Sequence, residues 1–206
     1  MVFEVSDLEL PRHADGQPFK SDVVAVIDET TPQVQGGTHY VVTASVILDP
    51  DAILVRLENL FVGRTRPFHW HQEGIQKKTA MIELIEEVGV VAHARYLITA
   101  PKKQKHARNE LIPAIAADAY REGAAHLIIE GSDSTTEGRD RHALLNAFET
   151  EGGVPFEYDH RTKKEHVLGV ADAVCGTIRG HLTGEEPEWF PRLQQSGVIS
   201  ELQYGV

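Results

Sequence analysis

Val23-Val24-Ala25-Val26-Ile27 is an unbroken, mostly β-branched run that stops at Asp28. A run without polar alternation predicts a central strand buried on both faces. Thr31-Pro32 and Gly36-Gly37 mark a turn, and Tyr40 to Leu48 follows as a second strand, so the two form a hairpin with a long loop. Asp49-Pro50-Asp51 is a helix start, because Asp accepts from free backbone amides and Pro fits the first helical position. Ile53, Leu54, Leu57, Leu60 and Phe61 mark the buried face of that helix. Pro67 to His71 reads as a short strand and Ile75 to Val88 as a helix stopped by Gly89. Val90 to Thr99 returns as a strand.

After a basic loop, Leu111, Ile112, Ile115, Ala116, Ala119 and Tyr120 keep helical spacing up to Gly123, and Pro113 points to a helix start near itself. Ala124 to Glu130 is the second strongly buried strand. Gly131-Ser132-Asp133-Ser134 turns into a helix bearing Ala143, Leu144, Ala147 and Phe148. Pro155 to Tyr158 is a short strand, and a last helix runs from about Glu165 to His181, closed by Gly184. Residues 1–20 read as an irregular lead-in, 21–184 as one domain, and 185–206 as a tail packed on that domain or on a partner. Early hairpin strands followed by α/β crossovers predict an α/β fold with a mixed sheet, flanked by helices on both faces.

Two strand ends carry acids. If the strands ending in Asp28 and Glu130 are parallel neighbours, their carboxylates lie side by side, where open α/β sheets place ligands. Two close carboxylates are costly unless a cation neutralises them, and Mg²⁺ or Mn²⁺ suits an all-oxygen donor set. A third acid, Asp172, lies on the last helix. Its apolar centre runs through Leu168, Ala171, Cys175, Ile178 and Leu182, and Asp172 sits roughly 90° away at 100° per residue. That position suits an acid leaning over the sheet end, and equally a plain boundary residue.

Composition narrows the classes. With 206 residues, 41% apolar and 25% charged, the chain is long enough for one well-cored domain. No stretch approaches the roughly 18 apolar residues of a membrane span, and the N-terminus lacks a signal-peptide pattern. The single cysteine, Cys175, fits a reducing, cytoplasmic setting. A net charge of −11 argues against indiscriminate coating of nucleic acid, but leaves room for a local basic groove. Lys102, Lys103, Lys105 and Arg108 form one candidate, and Arg161-Thr162-Lys163-Lys164 another; either is equally a solvated face.

His69 and His71 stand two apart on the expected strand and would share a face. A surface position, a general acid or substrate contact in the same cleft, and a zinc site all remain open for them. There is no phosphate-binding G-x-x-x-x-G-K-[ST] loop, dinucleotide fingerprint, nucleophile elbow or H-E-x-x-H helix. An actin-like ATPase would want Gly two residues after the first Asp, where this chain has Thr30.

Val26-Ile27-Asp28-Glu29-Thr30, the hairpin, Phe68-His69-Trp70-His71, Ile128-Ile129-Glu130 and Leu168-Gly169-Val170-Ala171-Asp172-Ala173-Val174-Cys175-Gly176 follow one another in an order that resembles the bacterial and phage family called domain of unknown function 3800. Its members open with a strand ending in Asp-Glu-Ser-Gly and close with a helix carrying a Leu-Ala-Asp-Leu-Ile-Ala-Gly-type segment. The resemblance covers residues 22 to 183 and implies an RNase H-like fold. Thr30-Thr31 stands here in place of Ser-Gly, and the mid-chain acid is a Glu. Carried over, Asp28, Glu130 and Asp172 match the acidic positions of an RNase H-like site, with Glu29 and Asp140 as reserve ligands. The expected function is a Mg²⁺- or Mn²⁺-dependent nuclease or phosphodiesterase, with His69 in the same cleft. The alternatives are a non-catalytic RNase H-like binding or regulatory module related to phage or defence biology, and an enzyme acting on a small anionic substrate through His69 and His71.

Overall fold

The computed structural model describes residues 23–62, 67–131, 134–150, 157–161 and 165–206. The lead-in of residues 1–20, the start of the strand expected at Pro155, the Ser132-Asp133 turn and Thr162 to Lys164 lie outside the described residues, as does the side chain of Phe148.

Among the described residues seven strands form a single mixed sheet. They are β1 (Val24–Thr30), β2 (Gln33–Val34), β3 (Gly37–Ile47), β4 (Val90–Thr99), β5 (His126–Glu130), β6 (Glu157–Arg161) and β7 (Ile199–Tyr204). Along the sheet the order is β6-β5-β1-β3-β4-β7, with β2 paired to β3. The pairs β1–β3 and β3–β4 are antiparallel, while β5, β6 and β7 join as parallel neighbours of β1, β5 and β4. The expected hairpin is therefore β1–β3, with the small β2 inside its loop.

Six helices cover the two faces: α1 (Pro50–Leu60), α2 (Ile75–Glu87), α3 (Gln104–Arg121), α4 (Ser134–Thr150), α5 (Leu168–Thr183) and α6 (Trp189–Gln195). Side chains alternate along a strand, and the two cores divide accordingly. Val24 and Val26 of β1 join Ile53, Ile82, Val174 and Leu193 in the core under α1, α2, α5 and α6. Ala25 and Ile27 join Leu111, Ile115 and Leu144 in the core under α3 and α4. The central strands are thus buried on both sides, which is why their sequence shows no polar alternation. Among the described residues no helix is long and apolar enough to cross a membrane.

Local signals fix several element ends. Asp49 Oδ1 accepts from the Ala52 N–H at 2.9 Å, and Gly184 closes α5 with φ 73°. Two expectations need correction. Pro67 to His71 is not a strand; the chain runs irregularly and then makes a 3-10 turn over Trp70–Gln72. Helix α3 starts at Gln104, well before Pro113, and the carbonyl that Pro113 leaves without its helical donor belongs to exposed Asn109. The segment 185–206 packs on its own domain, where it forms α6 and edge strand β7. Trp189 and Phe190 are buried there.

The segment around Trp70 crosses α5 at close range. A Cβ on Gly176 would lie 2.2 Å from Trp70 Cγ, and one on Gly169 would lie 3.0 Å from Phe68 Cβ. The two glycines of the Leu168–Gly176 segment are therefore the places where backbone meets aromatic side chain.

Candidate functional site

The site begins with strand pairing. In the parallel β1–β5 ladder Val24 faces His126, Val26 faces Ile128 and Ile27 faces Ile129. The next step along both strands places Asp28 beside Glu130. Alternation puts both on the sheet face that carries α5, in line with Val26 and Ile128. Asp28 is buried and Glu130 half-buried. At these strand ends, on the side of α3, a cleft of about 180 Å³ is lined by Ile27, Glu29, Arg108, Ile112 and Ile129 and is bordered by Asp28 and Glu130.

Asp172 reaches the same face from α5, which packs across β1 and β3. Its Oδ2 accepts from the Trp70 backbone N–H at 2.6 Å, and its Oδ1 lies 3.9 Å from His69 Nδ1. One turn further on, Cys175 Sγ sits 3.2 Å from Thr43 Oγ1, and Thr43 Oγ1 lies 3.5 Å from the Asp28 carbonyl oxygen. Burial pushes the Cys175 thiol well up, and the charges of Asp28, Asp172 and Glu29 push the same way against the Thr43 hydrogen bond. Cys175 is thus a neutral core thiol felt by both Asp28 and Asp172, not a nucleophile.

The fit of a cation is partial. Asp28 and Glu130 suit an ion that takes one or two carboxylates and completes its shell with water and phosphate oxygens. A ready three-acid centre is not formed. Among the described residues no three His, Cys, Asp or Glu side chains come together so as to hold a metal ion. Asp172 is turned instead toward the Trp70 N–H. His69 and His71 do not share a strand face either: the 3-10 turn tilts their rings by 37° at 6.2 Å, leaving His71 exposed and His69 beside Asp172.

The two reserve acids belong to the opposite face. Asp140, on α4, grips Arg108 of α3 through a two-pronged contact, Nε–Oδ1 at 2.8 Å and Nη2–Oδ2 at 2.9 Å. His160 Nε2 approaches the same carboxylate at 3.1 Å. Arg108 also donates to Glu29, and the Tyr40 hydroxyl donates to that same Glu29 oxygen. Burial alone would raise the Asp140 pKa, yet the hydrogen bonds and charges of Arg108 and His160 outweigh it and hold the carboxyl below its usual range. Burial would likewise lower Arg108, and Asp140 and Glu29 more than reverse that. Tyr40 is pushed up by burial and then by Glu29. Arg108 is therefore not the exposed phosphate contact expected from the sequence, and Asp140 is not a spare ligand. Both were met correctly as charged residues, but their pairing across α3 and α4 leaves no trace in sequence spacing. Tyr40 and His160 were missed for the same reason.

The remaining basic candidates separate in a similar way. Lys102, Lys103 and Lys105 are exposed, on a 3-10 turn over Pro101–Lys103 and the first turn of α3. Arg161 is engaged by Asp159 at 3.0 Å and Glu165 at 3.3 Å. Compared with known proteins, the chain matches no protein-family model and none of the curated sequences.

Proposed function

We propose that this chain is a divalent-cation-dependent nuclease or related phosphodiesterase of RNase H-like fold, working at the ends of β1 and β5. The observation that carries this reading is the parallel β1–β5 register, which sets Asp28 beside Glu130 at the mouth of a cleft. An RNase H-like identity is supported by the antiparallel β1–β3–β4 meander continued by parallel β5 and β6, with α5 crossing the face of Asp28. In this reading Asp28 and Glu130 hold the cation and Asp172 is the third acid of the site. When bound, Mg²⁺ or Mn²⁺ would supply a water of lowered pKa and shield phosphate charge. His69, kept beside Asp172, is the group assigned to hand a proton to the leaving oxygen.

A second reading, a non-catalytic module with the same fold, is favoured by one observation. Among the described residues no three His, Cys, Asp or Glu side chains are placed to hold a metal ion, and Asp172 Oδ2 is engaged by the Trp70 N–H. Calorimetric titration with Mn²⁺ separates the two. The parent is expected to bind, and Asp28→Asn and Glu130→Gln to lose binding at least tenfold, because each removes one anionic oxygen donor from a pair. Parent protein that takes up no Mn²⁺, alone or with an oligonucleotide present, would establish the non-catalytic reading instead.

A further inference from the structure

We propose that the cleft between the first turns of α3 and α4 is a phosphate subsite for a single nucleic-acid strand, with Lys105 and Arg139 as its cations. This rests on the phosphodiesterase reading and names how the substrate would lie. The cleft holds about 170 Å³ and is walled by Gln104, Lys105 and Asn109 on α3 and by Thr136 and Arg139 on α4. Its floor is the Glu29–Tyr40–Arg108 network.

The charges on that floor are already committed. Glu29 accepts from Tyr40 and Arg108, and Arg108 is clamped by Asp140. Lys105 and Arg139, by contrast, enter no ion pair with any described residue. They face the same cleft from two helices, and Gln104 and Asn109 line it as well. Two cations with amide donors are suited to the oxygens of a phosphate.

Position turns this subsite into part of a path. The cleft shares Glu29 and Arg108 with the one at Asp28 and Glu130, so the two adjoin. On its other side it shares Asn109 and Arg139 with a groove of about 550 Å³ that runs on between α3 and α4 past His142 and Asn146. Three joined clefts make an elongated track, which suits a polymer better than a small phosphoester. Among the described residues its lining offers Lys105, Arg139 and side-chain amides, with Glu110 and His142 further along and no exposed Phe, Tyr or Trp, so contact would follow the backbone more than stack on bases. On a chain of net charge −11, the two cations Lys105 and Arg139 are what would let a polyanion approach this stretch.

The test is fluorescence anisotropy of a labelled oligothymidylate in EDTA, so that no cation site takes part. The parent should bind in a salt-dependent way. Lys105→Ala with Arg139→Ala should weaken binding about tenfold and flatten the log–log salt slope by about 1.4, roughly 0.7 for each lost phosphate contact. Lys102→Ala with Lys103→Ala, outside the cleft, should have a smaller effect. Melting curves should change little, since Lys105 is exposed, Arg139 is half-buried and neither enters an ion pair with a described residue. Parent-like binding by the Lys105/Arg139 variant would overturn the subsite, as would absence of saturable binding by the parent at low salt. Binding of inorganic pyrophosphate but not of the oligonucleotide would overturn the strand. Because this assay excludes metal, loss of Mn²⁺ uptake in the calorimetric test leaves it untouched, and the two readings fail separately.

Discussion

Asp140→Ala is expected to destabilise the fold by about 3 kcal/mol at pH 7, the low end of what removing one partner of a buried ion pair costs. The Asp140 side chain is 1% exposed and that of Arg108 10%. Removal of the carboxylate strands a guanidinium that cannot shed its proton, with half-exposed Glu29 as its remaining anion. Glu29 is the reason to expect the lower figure. Replacing both members, as Arg108→Met with Asp140→Leu, should recover much of the loss, because no uncompensated charge is then left inside. Urea unfolding of the parent, the single variant and the double variant measures this directly. A single-variant loss below about 1 kcal/mol would mean that Glu29 and solvent suffice for Arg108.

The same pair has a pH signature. The Asp140 pKa is held below that of the unfolded chain, so its stabilisation is complete above the ordinary carboxylate range. It is lost as pH falls through the folded-state value. The gap between parent and Asp140→Asn should therefore be widest at neutral pH and shrink below about pH 4. A gap that widens on acidification would contradict the assignment.

Gly176→Ala should be comparably damaging, although alanine is the better helix former by about 1 kcal/mol. The new Cβ would fall 2.2, 2.4 and 2.6 Å from Trp70 Cγ, Cδ1 and Cβ. Those atoms sit at the root of the ring, so no small rotation clears them. The ring is also fixed from other sides. Trp189 meets it edge-on at 5.7 Å, Lys78 Nζ lies 4.9 Å from it, and its Nε1 donates to Glu186 at 2.8 Å. Overpacking of this kind costs about 1–3 kcal/mol and sometimes more, and a loss of about 3 kcal/mol is expected here. Near-ultraviolet circular dichroism should change as well, since Trp70 must move. Adding Trp70→Leu should return part of the stability. A single variant more stable than the parent would show that the helix and the Trp70 turn separate easily, and Asp172 would then be freer than its contact with the Trp70 N–H implies.

What the sequence determined by itself is the central frame. The runs Val23–Ile27 and Ala124–Ile129 are too apolar for a surface position and too short and β-branched for helices, so they had to be inner strands ending in acids. Asp49-Pro50 and Gly184 set helix ends because capping and left-handed backbone depend on only a few neighbouring residues. From these alone follow a mixed sheet with helices on both faces, and Asp28 beside Glu130 once the two strands are parallel.

Tertiary structure decided the rest, because it rests on contacts between residues far apart in the chain. The residues after Gly184 contain no strong strand signal, yet β7 forms because β4 offers it an edge. His69-Trp70-His71 carries a strand-like composition, but α5 lies against it at Gly169 and Gly176 and the segment turns instead. Arg108 belongs to a basic run by sequence, and only the meeting of α3 with α4 gives it Asp140 and buries most of its side chain. Asp172, placed at a helix edge by periodicity, is aimed by the Trp70 N–H. Local chemistry can say which residues are charged or apolar, while the partner that fixes each one is chosen by how the helices pack.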